Sequence, residues 1–452
     1  MHRRHFLHGL GALGALAWAG IGGLPRAAVA AQTASGAPAD PVANPYVTPV
    51  RGGARVVVIG GGFGGATGAK YLRMLSGGTL DVTLVEPNAT FISPPLSNLV
   101  LGGGLRVPDL TVPYDRLVSR HGVHWRRTRA DAIDAARRQV RLADGTKLAY
   151  DRLIVSPGVA LRWDAIAGMA DTALRDALPA AWADAREIAS LQRKLHAMPD
   201  GGVFAITIPE APFRCPPAPY ERACQAAAYL RHHKPRAKVL IFDANEDILA
   251  EATQFRDAWQ THYPGMVEYH PQFNCTEAAA APGASGAYLA RFELGEEVRA
   301  DVLNVIPPMQ AGAIATASGL ATANGRWCEV DFLTFESRAM PGVHVLGDAL
   351  QIAPQMPKSG HMANQHGKVC AAAVVAQLAG RDINAMPLYS NTCYSFVTET
   401  DAMHVASVHR YNAALRTMLP VPGTGGASAK ANPDEWPLGL AWAQGIWADM
   451  LA

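Results

Sequence analysis

Arg55-Val56-Val57-Val58-Ile59-Gly60-Gly61-Gly62-Phe63-Gly64-Gly65 is the stretch whose reading decides the fold. The run Val56 to Ile59 is uninterrupted and β-branched, the pattern of a strand buried on both faces. A glycine-rich turn follows at once, and Ala66 to Leu75 reads as a helix. Gly60 permits the tight turn, Gly62 lets the backbone approach a pyrophosphate, and Gly65 allows close helix–strand packing, while the helix N-terminus stabilises phosphate charge. A second strand, Asp81-Val82-Thr83-Leu84-Val85-Glu86, ends in an acid about 20 residues on, where Glu86 can accept hydrogen bonds from ribose hydroxyls. Strand, turn, helix, strand and acid in this order predict entry into a dinucleotide-binding domain. They do not distinguish FAD from NAD.

Two later segments decide for FAD. Leu153-Ile154-Val155-Ser156-Pro157-Gly158 resembles the strand and turn that leave the FAD domain in flavoproteins with two dinucleotide units. Gly342-Val343-His344-Val345-Leu346-Gly347-Asp348-Ala349 resembles the motif whose aspartate binds the ribityl or pyrophosphate region. By itself Asp348 reads as a turn residue closing a strand; the glycine before it and the helical run from Lys368 to Ala379 after it favour the cofactor. Between these segments a second copy of the unit is visible. Val203-Phe204-Ala205-Ile206-Thr207-Ile208 repeats the entry strand, and Lys238-Val239-Leu240-Ile241-Phe242-Asp243 repeats the second. No glycine occurs between Gly202 and Gly265, so the close backbone approach that a pyrophosphate needs is missing. The loop carries Cys215 among prolines instead, just before a helical pattern whose N-terminus would favour a thiolate.

Composition bounds the partners. The 452 residues suffice for two or three domains, and 40 Lys+Arg against 38 Asp+Glu exclude a whole-chain field that would attract nucleic acid. Arg3-Arg4-His5-Phe6-Leu7, a weakly apolar run from Gly9 to Leu24 and Ala28-Val29-Ala30 form a twin-arginine export pattern, which predicts a periplasmic protein with no integral membrane span. The six cysteines, 215, 224, 275, 328, 370 and 393, show neither haem-attachment nor zinc spacing, so no metal site is expected. Cys224, Cys275, Cys328 and Cys370 read as small apolar residues.

Phe213-Arg214-Cys215-Pro216-Pro217 with Tyr220-Glu221-Arg222, Val305-Ile306-Pro307-Pro308, Thr334-Phe335-Glu336-Ser337, Met356-Pro357-Lys358-Ser359-Gly360 and Asn391-Thr392-Cys393-Tyr394-Ser395 add a more specific signal. Together they resemble the flavoprotein subunit of flavocytochrome c sulfide dehydrogenase, from Arg55 onward. The resemblance implies an α/β fold like that of glutathione reductase, with two Rossmann-like dinucleotide-binding domains, the second degenerate, and a C-terminal interface domain. The expected division is a signal at 1–30, a linker at 31–53, an FAD domain at 54–170 and 301–385, the degenerate unit at 171–300 and the interface domain at 386–452.

It also implies a redox-active disulfide between Cys215 and Cys393 over the flavin, Glu221 as base, and a c-type cytochrome, as a subunit or a soluble protein, as electron acceptor. Hydrosulfide would open the disulfide, leaving a persulfide on one cysteine and a thiolate on the other. We assign the persulfide to Cys215, although the sequence does not fix which cysteine faces the flavin. Glu221 reads equally as a helix cap. Lys358 could stabilise anionic reduced flavin or lie at the surface. Family members that attach FAD covalently use a cysteine before a Leu-Ser-Asn motif. Here Phe91-Ile92-Ser93-Pro94-Pro95-Leu96-Ser97-Asn98 has Pro95 there, which predicts noncovalent FAD with the loop still beside the flavin. The tryptophan-rich segment Trp436 to Leu451 can cover the flavin, face a partner or pack in the core. A sulfide:quinone oxidoreductase, a type II NADH dehydrogenase and an auxiliary flavoprotein of a periplasmic sulfur-oxidising system are the alternatives.

Overall fold

The computed structural model describes residues 46–182, 184–283 and 286–452; the export pattern and most of the expected linker lie outside the described residues. In chain order the elements that build the site are β1 (Arg55–Ile59), α1 (Phe63–Leu75), β2 (Asp81–Val85), β3 (His124–Arg126), β4 (Arg152–Val155), β5 (Val203–Ile208), α2 (Ala218–His233), β6 (Lys238–Asp243), α3 (Ala252–His262), β7 (Val267–Pro271), β8 (Val302–Val305), β9 (Val343–Val345), α4 (Gly360–Leu378), β10 (Leu388–Phe396), β11 (Ala402–Asn412), β12 (Thr417–Pro420) and α5 (Glu435–Leu451).

The first sheet runs β9-β4-β1-β2-β3, all parallel, with Ile59 opposite Val85 and Val155. Val56, Val58, Leu84, Ile154 and Val345 are buried, which is why these strands read as continuous apolar runs. The second sheet, β7-β6-β5-β8, is also parallel. Its β5 and β6 stand in the register of β1 and β2, with Ile208 opposite Asp243 as Ile59 stands opposite Val85. The third sheet, β10-β11-β12, is antiparallel, and α5 packs against it.

Small residues let the helices close on one another. A Cβ on Gly367 of α4 would lie 2.6 Å from the Gly64 carbonyl oxygen and 3.0 Å from the Gly68 nitrogen of α1. A Cβ on Gly360 would lie 2.7 Å from the Phe63 ring, so the N-termini of α1 and α4 converge. On the other side, a Cβ on Gly439 of α5 would meet the Phe396 ring at 2.6 Å, which seats α5 directly on β10.

Candidate functional site

A cavity of about 650 Å³ lies at the carboxyl ends of the first sheet, where an open parallel sheet presents its loops to a ligand. It is bordered by Gly60 to Gly64, Glu86, Ser156 to Gly158, Gly347 and Asp348. Gly60 has φ +95°, and a Cβ there would lie 2.3 Å from the Ser156 carbonyl oxygen. At Gly62 a Cβ would meet no protein atom within 4 Å, so this position borders open space at the helix N-terminus. The Glu86 carboxylate accepts from the Gly61 N–H at 2.8 Å and from the Asn88 N–H at 2.7 Å. The Tyr114 hydroxyl donates to the Gly61 carbonyl at 3.0 Å, which holds the glycine loop from the other side. Asp348 leaves Oδ1 buried without a partner at the cavity wall, an orphan acceptor that a bound hydroxyl would satisfy.

Of the expected cofactor residues, Gly60, Gly62, Glu86, Gly158, Gly347 and Asp348 border this cavity. Gly65 does not: a Cβ there would lie 1.9 Å from the Gly60 carbonyl oxygen, so it serves the helix–strand contact. Lys358 borders neither this cavity nor the smaller one beside it, and it is not a surface residue. Its ammonium donates to the Asp348 and Leu350 carbonyls and lies 3.6 Å from the centre of the Trp327 ring. Burial outweighs the nearby Asp348 and pulls it down to about 7.

The smaller cavity, about 90 Å³, shares Phe63, Pro94, Arg214, Asp348 and Gly360 with the larger one. Cys215, Cys393, Glu221 and Pro95 all border it. Cys215 reaches it from the loop before α2 with φ +58°, a strained value for a non-glycine residue, held by its N–H donating to the Lys358 carbonyl at 2.8 Å. Cys393 reaches it from the middle of β10. Both are thiols in this structure. The expected lowering of the Cys215 pKa by the helix terminus is overridden: burial pushes this thiol well up, with Cys393 and Glu221 adding to it and Arg214 opposing. Burial likewise pushes Cys393 up to about 12. The pocket therefore favours neutral sulfur, as a thiol or a disulfide, over a standing thiolate.

Glu221 does not act as a free helix cap. Its carboxyl accepts from Asn98 Nδ2 at 2.6 Å and from the Phe396 N–H at 3.1 Å, joining the short helix Ser97–Gly102 to β10. Burial raises it to about 7 against these hydrogen bonds and Arg222, which suits a group that exchanges protons near neutrality.

Sequence reasoning missed the cations and the aromatic wall. Arg214 borders both cavities, facing Asp348 on one side and Cys215 on the other. Arg222 is 1% exposed, yet it donates to Asn98 Oδ1 at 3.1 Å, the Ala180 carbonyl and Asn304 Oδ1 at 2.8 Å, and the Ala181 carbonyl at 2.7 Å. Its guanidinium stacks 4.9 Å from the Trp182 ring, and Trp182 and Trp442 complete the wall. Asn98, Arg214, Arg222 and Trp442 all sit inside motifs quoted above; beside Arg214 and Arg222 the cysteine drew the attention, and Asn98 and Trp442 need the fold to bring them to the cavity.

In the second unit an acid, Asp243, ends the second strand, much as Glu86 directly follows the second strand of the first. Its carboxylate is filled internally by the Tyr220 hydroxyl at 2.6 Å, the Tyr269 hydroxyl at 3.0 Å and Asn245 Nδ2 at 2.6 Å. An acid so engaged is not available to a ribose.

The family model for the central region of the flavocytochrome c sulfide dehydrogenase flavoprotein chain matches residues 188–307, and that for its flavin-binding region matches 385–451. A pyridine nucleotide-disulphide oxidoreductase model matches 54–197. The sulfide dehydrogenase flavoprotein chain of Chlorobaculum thiosulfatiphilum is 61% identical over 46 residues, 10% of this chain and 94% of that sequence. This chain belongs to the flavocytochrome c sulfide dehydrogenase flavoprotein family. Like other members of this flavoprotein family it binds FAD, and the glycine loop, Glu86 and the orphaned Asp348 oxygen fit that cofactor.

The mitochondrial sulfide:quinone oxidoreductase of Dictyostelium discoideum is 24% identical over 307 residues, 65% of each chain, so the match spans less than two thirds of that relative. The sulfide:quinone oxidoreductase structure from Aquifex aeolicus superposes with a TM-score of 0.71 at 19% identity, covering 88% of this chain and 91% of that one. A putidaredoxin reductase in covalent complex with putidaredoxin gives 0.60 at 19% identity, covering 87% and 93%. These two likenesses establish the α/β dinucleotide-binding fold shared with the flavocytochrome c family.

Proposed function

We propose that this protein is a periplasmic, FAD-dependent sulfide dehydrogenase that oxidises sulfide through a Cys215–Cys393 redox pair and delivers electrons to a c-type cytochrome. The observation that carries the reading is the convergence of Cys215, Cys393 and Glu221 on one small cavity that shares five residues with the FAD cleft.

In the oxidised protein, hydrosulfide sulfur bonds to the Cys215 sulfur, the Cys215–Cys393 bond breaks, and its electron pair leaves on Cys393. The proton stays on the terminal sulfur of the new persulfide, from which Glu221 removes it. Arg214 and Arg222 beside the cavity favour the approach of an anion. Bound FAD would supply a two-electron acceptor beside the pair, able to release its electrons one at a time to a haem protein. Gly60, Gly62, Glu86, Gly158, Gly347 and Asp348 would hold the cofactor. The Pro94-Pro95 turn beside the cavity has no thiol, so the cofactor is held without a covalent bond; flavin fluorescence that stays with the denatured chain on a gel would contradict this.

Anaerobic sulfide titration of the flavin spectrum tests the core of the reading. Stoichiometric bleaching is expected for wild type, and a loss of at least about 100-fold in rate for Cys215→Ser and Cys393→Ser, the size of effect usual when an essential covalent participant is removed. Equal bleaching in all three proteins would sink it. A quinone acceptor is the second reading, favoured by the likeness to the Aquifex aeolicus sulfide:quinone oxidoreductase fold. Among the described residues no helix is long and apolar enough to cross a membrane. Faster turnover with cytochrome c than with decylubiquinone is expected; the reverse order favours the quinone.

A further inference from the structure

The start of α4 and the strand β10 meet beside the thiol cavity in contacts that the mechanism above does not use. Ser359 and His361, on either side of Gly360, each hold one residue of the run Asn391-Thr392-Cys393. The Thr392 N–H donates to His361 Nδ1 at 3.0 Å, which fixes the strand against the helix. The Ser359 hydroxyl accepts from the Met362 N–H at 3.0 Å, capping α4, and gives its own proton to Asn391 Oδ1 at 2.5 Å. Asn391 and Cys393 are two residues apart on β10, so their side chains share a face of the strand. Asn391 Nδ2 donates to Cys393 Sγ at 3.5 Å, within reach for a sulfur acceptor. Asn391, Ser359 and Cys393 are all buried. Among the described residues no side chain donates a hydrogen bond to the Cys215 sulfur.

We propose that Asn391 is the donor that holds Cys393 as a thiolate when the disulfide opens, and that Ser359 is a positioning residue that keeps the amide turned with Nδ2 on the sulfur. The inference deepens the thiol-pair reading above and rests on it, but not on sulfide being the attacking species. In the step concerned an attacking thiolate or hydrosulfide bonds to the Cys215 sulfur, the Cys215–Cys393 bond breaks, and its electron pair stays on Cys393 as a thiolate, with no proton transferred. A disulfide sulfur is a poor acceptor and a thiolate a strong one. The Nδ2–H bond therefore tightens as the charge develops and counts for more in the transition state than in the resting protein. Cys393 is thereby the leaving sulfur and Cys215 the one attacked, an order the sequence alone does not fix.

The surroundings leave this task to a neutral donor. The charged groups that reach Cys393 are the carboxyls of Glu251, which immediately precedes α3, and Glu221 on α2, and both oppose a thiolate. Burial pushes Cys393 up to about 12, and the hydrogen bonds from Asn391 and Ser359 keep it from rising further. Arg214 favours charge on Cys215, but burial, Cys393 and Glu221 outweigh it. A pocket that disfavours standing charge on either sulfur thus offers one of them a donor for the moment the charge appears. The amide serves the reduced state too: as a thiol, Cys393 can donate to Oδ1, 3.9 Å away. Orientation is the point on which Ser359 acts. Turned over, the amide would set its carbonyl oxygen against the sulfur lone pairs and repel a thiolate; the 2.5 Å bond from the Ser359 hydroxyl disfavours that arrangement.

The test measures two rates at about pH 9, where thiolates carry the reaction. In the oxidised, FAD-loaded protein, 2-mercaptoethanol opens the disulfide, and acid-quenched samples are read by intact mass as adduct plus dithiol. In the reduced Cys215→Ser protein, iodoacetamide alkylates Cys393 through its thiolate, read by peptide mass. Asn391→Leu keeps the shape without the donor, and Asn391→Asp keeps an acceptor for Ser359 but sets oxygen on the sulfur; each is expected to slow both rates at least about tenfold. Ser359→Ala is expected to slow both severalfold, and Ser359→Thr to restore them. Flavin content and Tm of each variant establish that it is folded. Unchanged rates in a folded Asn391 variant overturn the proposal. A Ser359→Ala protein with a lower Tm but an unchanged rate of Cys393 alkylation has lost a helix cap alone, which overturns the positioning role. Parallel reactions with sulfide separate the two readings: normal opening by 2-mercaptoethanol with no sulfide reaction in wild type removes the sulfide reading and leaves Asn391 in place.

Discussion

Residues that look interchangeable in the glycine loop have different tasks, and substitution separates them. Gly62→Ala places a methyl group where no protein atom lies within 4 Å, so the fold should survive with a Tm within about 2 °C of wild type while FAD is lost on gel filtration. Gly65→Ala drives a methyl group to 1.9 Å from the Gly60 carbonyl, and the expected outcome is a chain that fails to fold or loses more than about 3 kcal/mol. Arg222→Leu would strand the Asn98 and Asn304 oxygens and two carbonyls, a cost of about 3–5 kcal/mol in urea unfolding, whether or not the chemistry is as proposed. The glycines, Glu86, Asp348 and the two cysteines were legible in the sequence because each sits at a fixed offset in a local motif. Arg222 and Glu251 were not, since a charged residue in a helical pattern reads as solvent-facing until the partners that bury it, from three other elements, are known.

At the scale of elements, the second unit keeps the strands of a dinucleotide fold and has filled the position where a ribose would be read. With Tyr220 and Tyr269 on Asp243, NADH is expected to bleach the flavin no faster than buffer alone, and rapid bleaching in a stopped-flow trace would show that this unit still admits a nicotinamide. Both parallel sheets could be anticipated from apolar runs alone. The antiparallel sheet β10-β11-β12 was harder to see, because β10 alternates buried and more exposed residues, β11 carries a run of five part-exposed ones, and both mix histidine, serine or asparagine with apolar positions. Helix α5 resolves the ambiguity of the tryptophan-rich segment. Trp442 walls the thiol cavity and Trp447 donates to the Ser93 hydroxyl at 3.0 Å, while Leu438 stays exposed. Trp442→Ala should therefore speed alkylation of Cys215 and Cys393 by a bulky maleimide severalfold, with little change for iodoacetamide.

For the molecule as a whole, buried ionisable groups make stability depend on pH. A carboxyl whose folded pKa is raised binds more protons folded than unfolded, so its contribution is full below the unfolded value, about 4.3, and declines as pH rises through the folded value. For Glu251 that window runs from about 4.3 to about 8. Glu251→Gln should gain Tm relative to wild type across it, by about 2 °C or more at pH 8, and a constant difference between pH 5 and 8 would show that the group does not titrate there.

Cys215 and Cys393 lie about 180 residues apart, one on a loop of the second parallel unit and one on the antiparallel sheet. Their meeting depends on contacts of high sequence separation, which form late because loop closure must be met first. On the proposed pairing, disulfide formation between them would serve as a clock for refolding: regained thiol pairing would mark the arrival of this long-range contact, and a collapsed intermediate without it would present two isolated thiols with no chemistry in common.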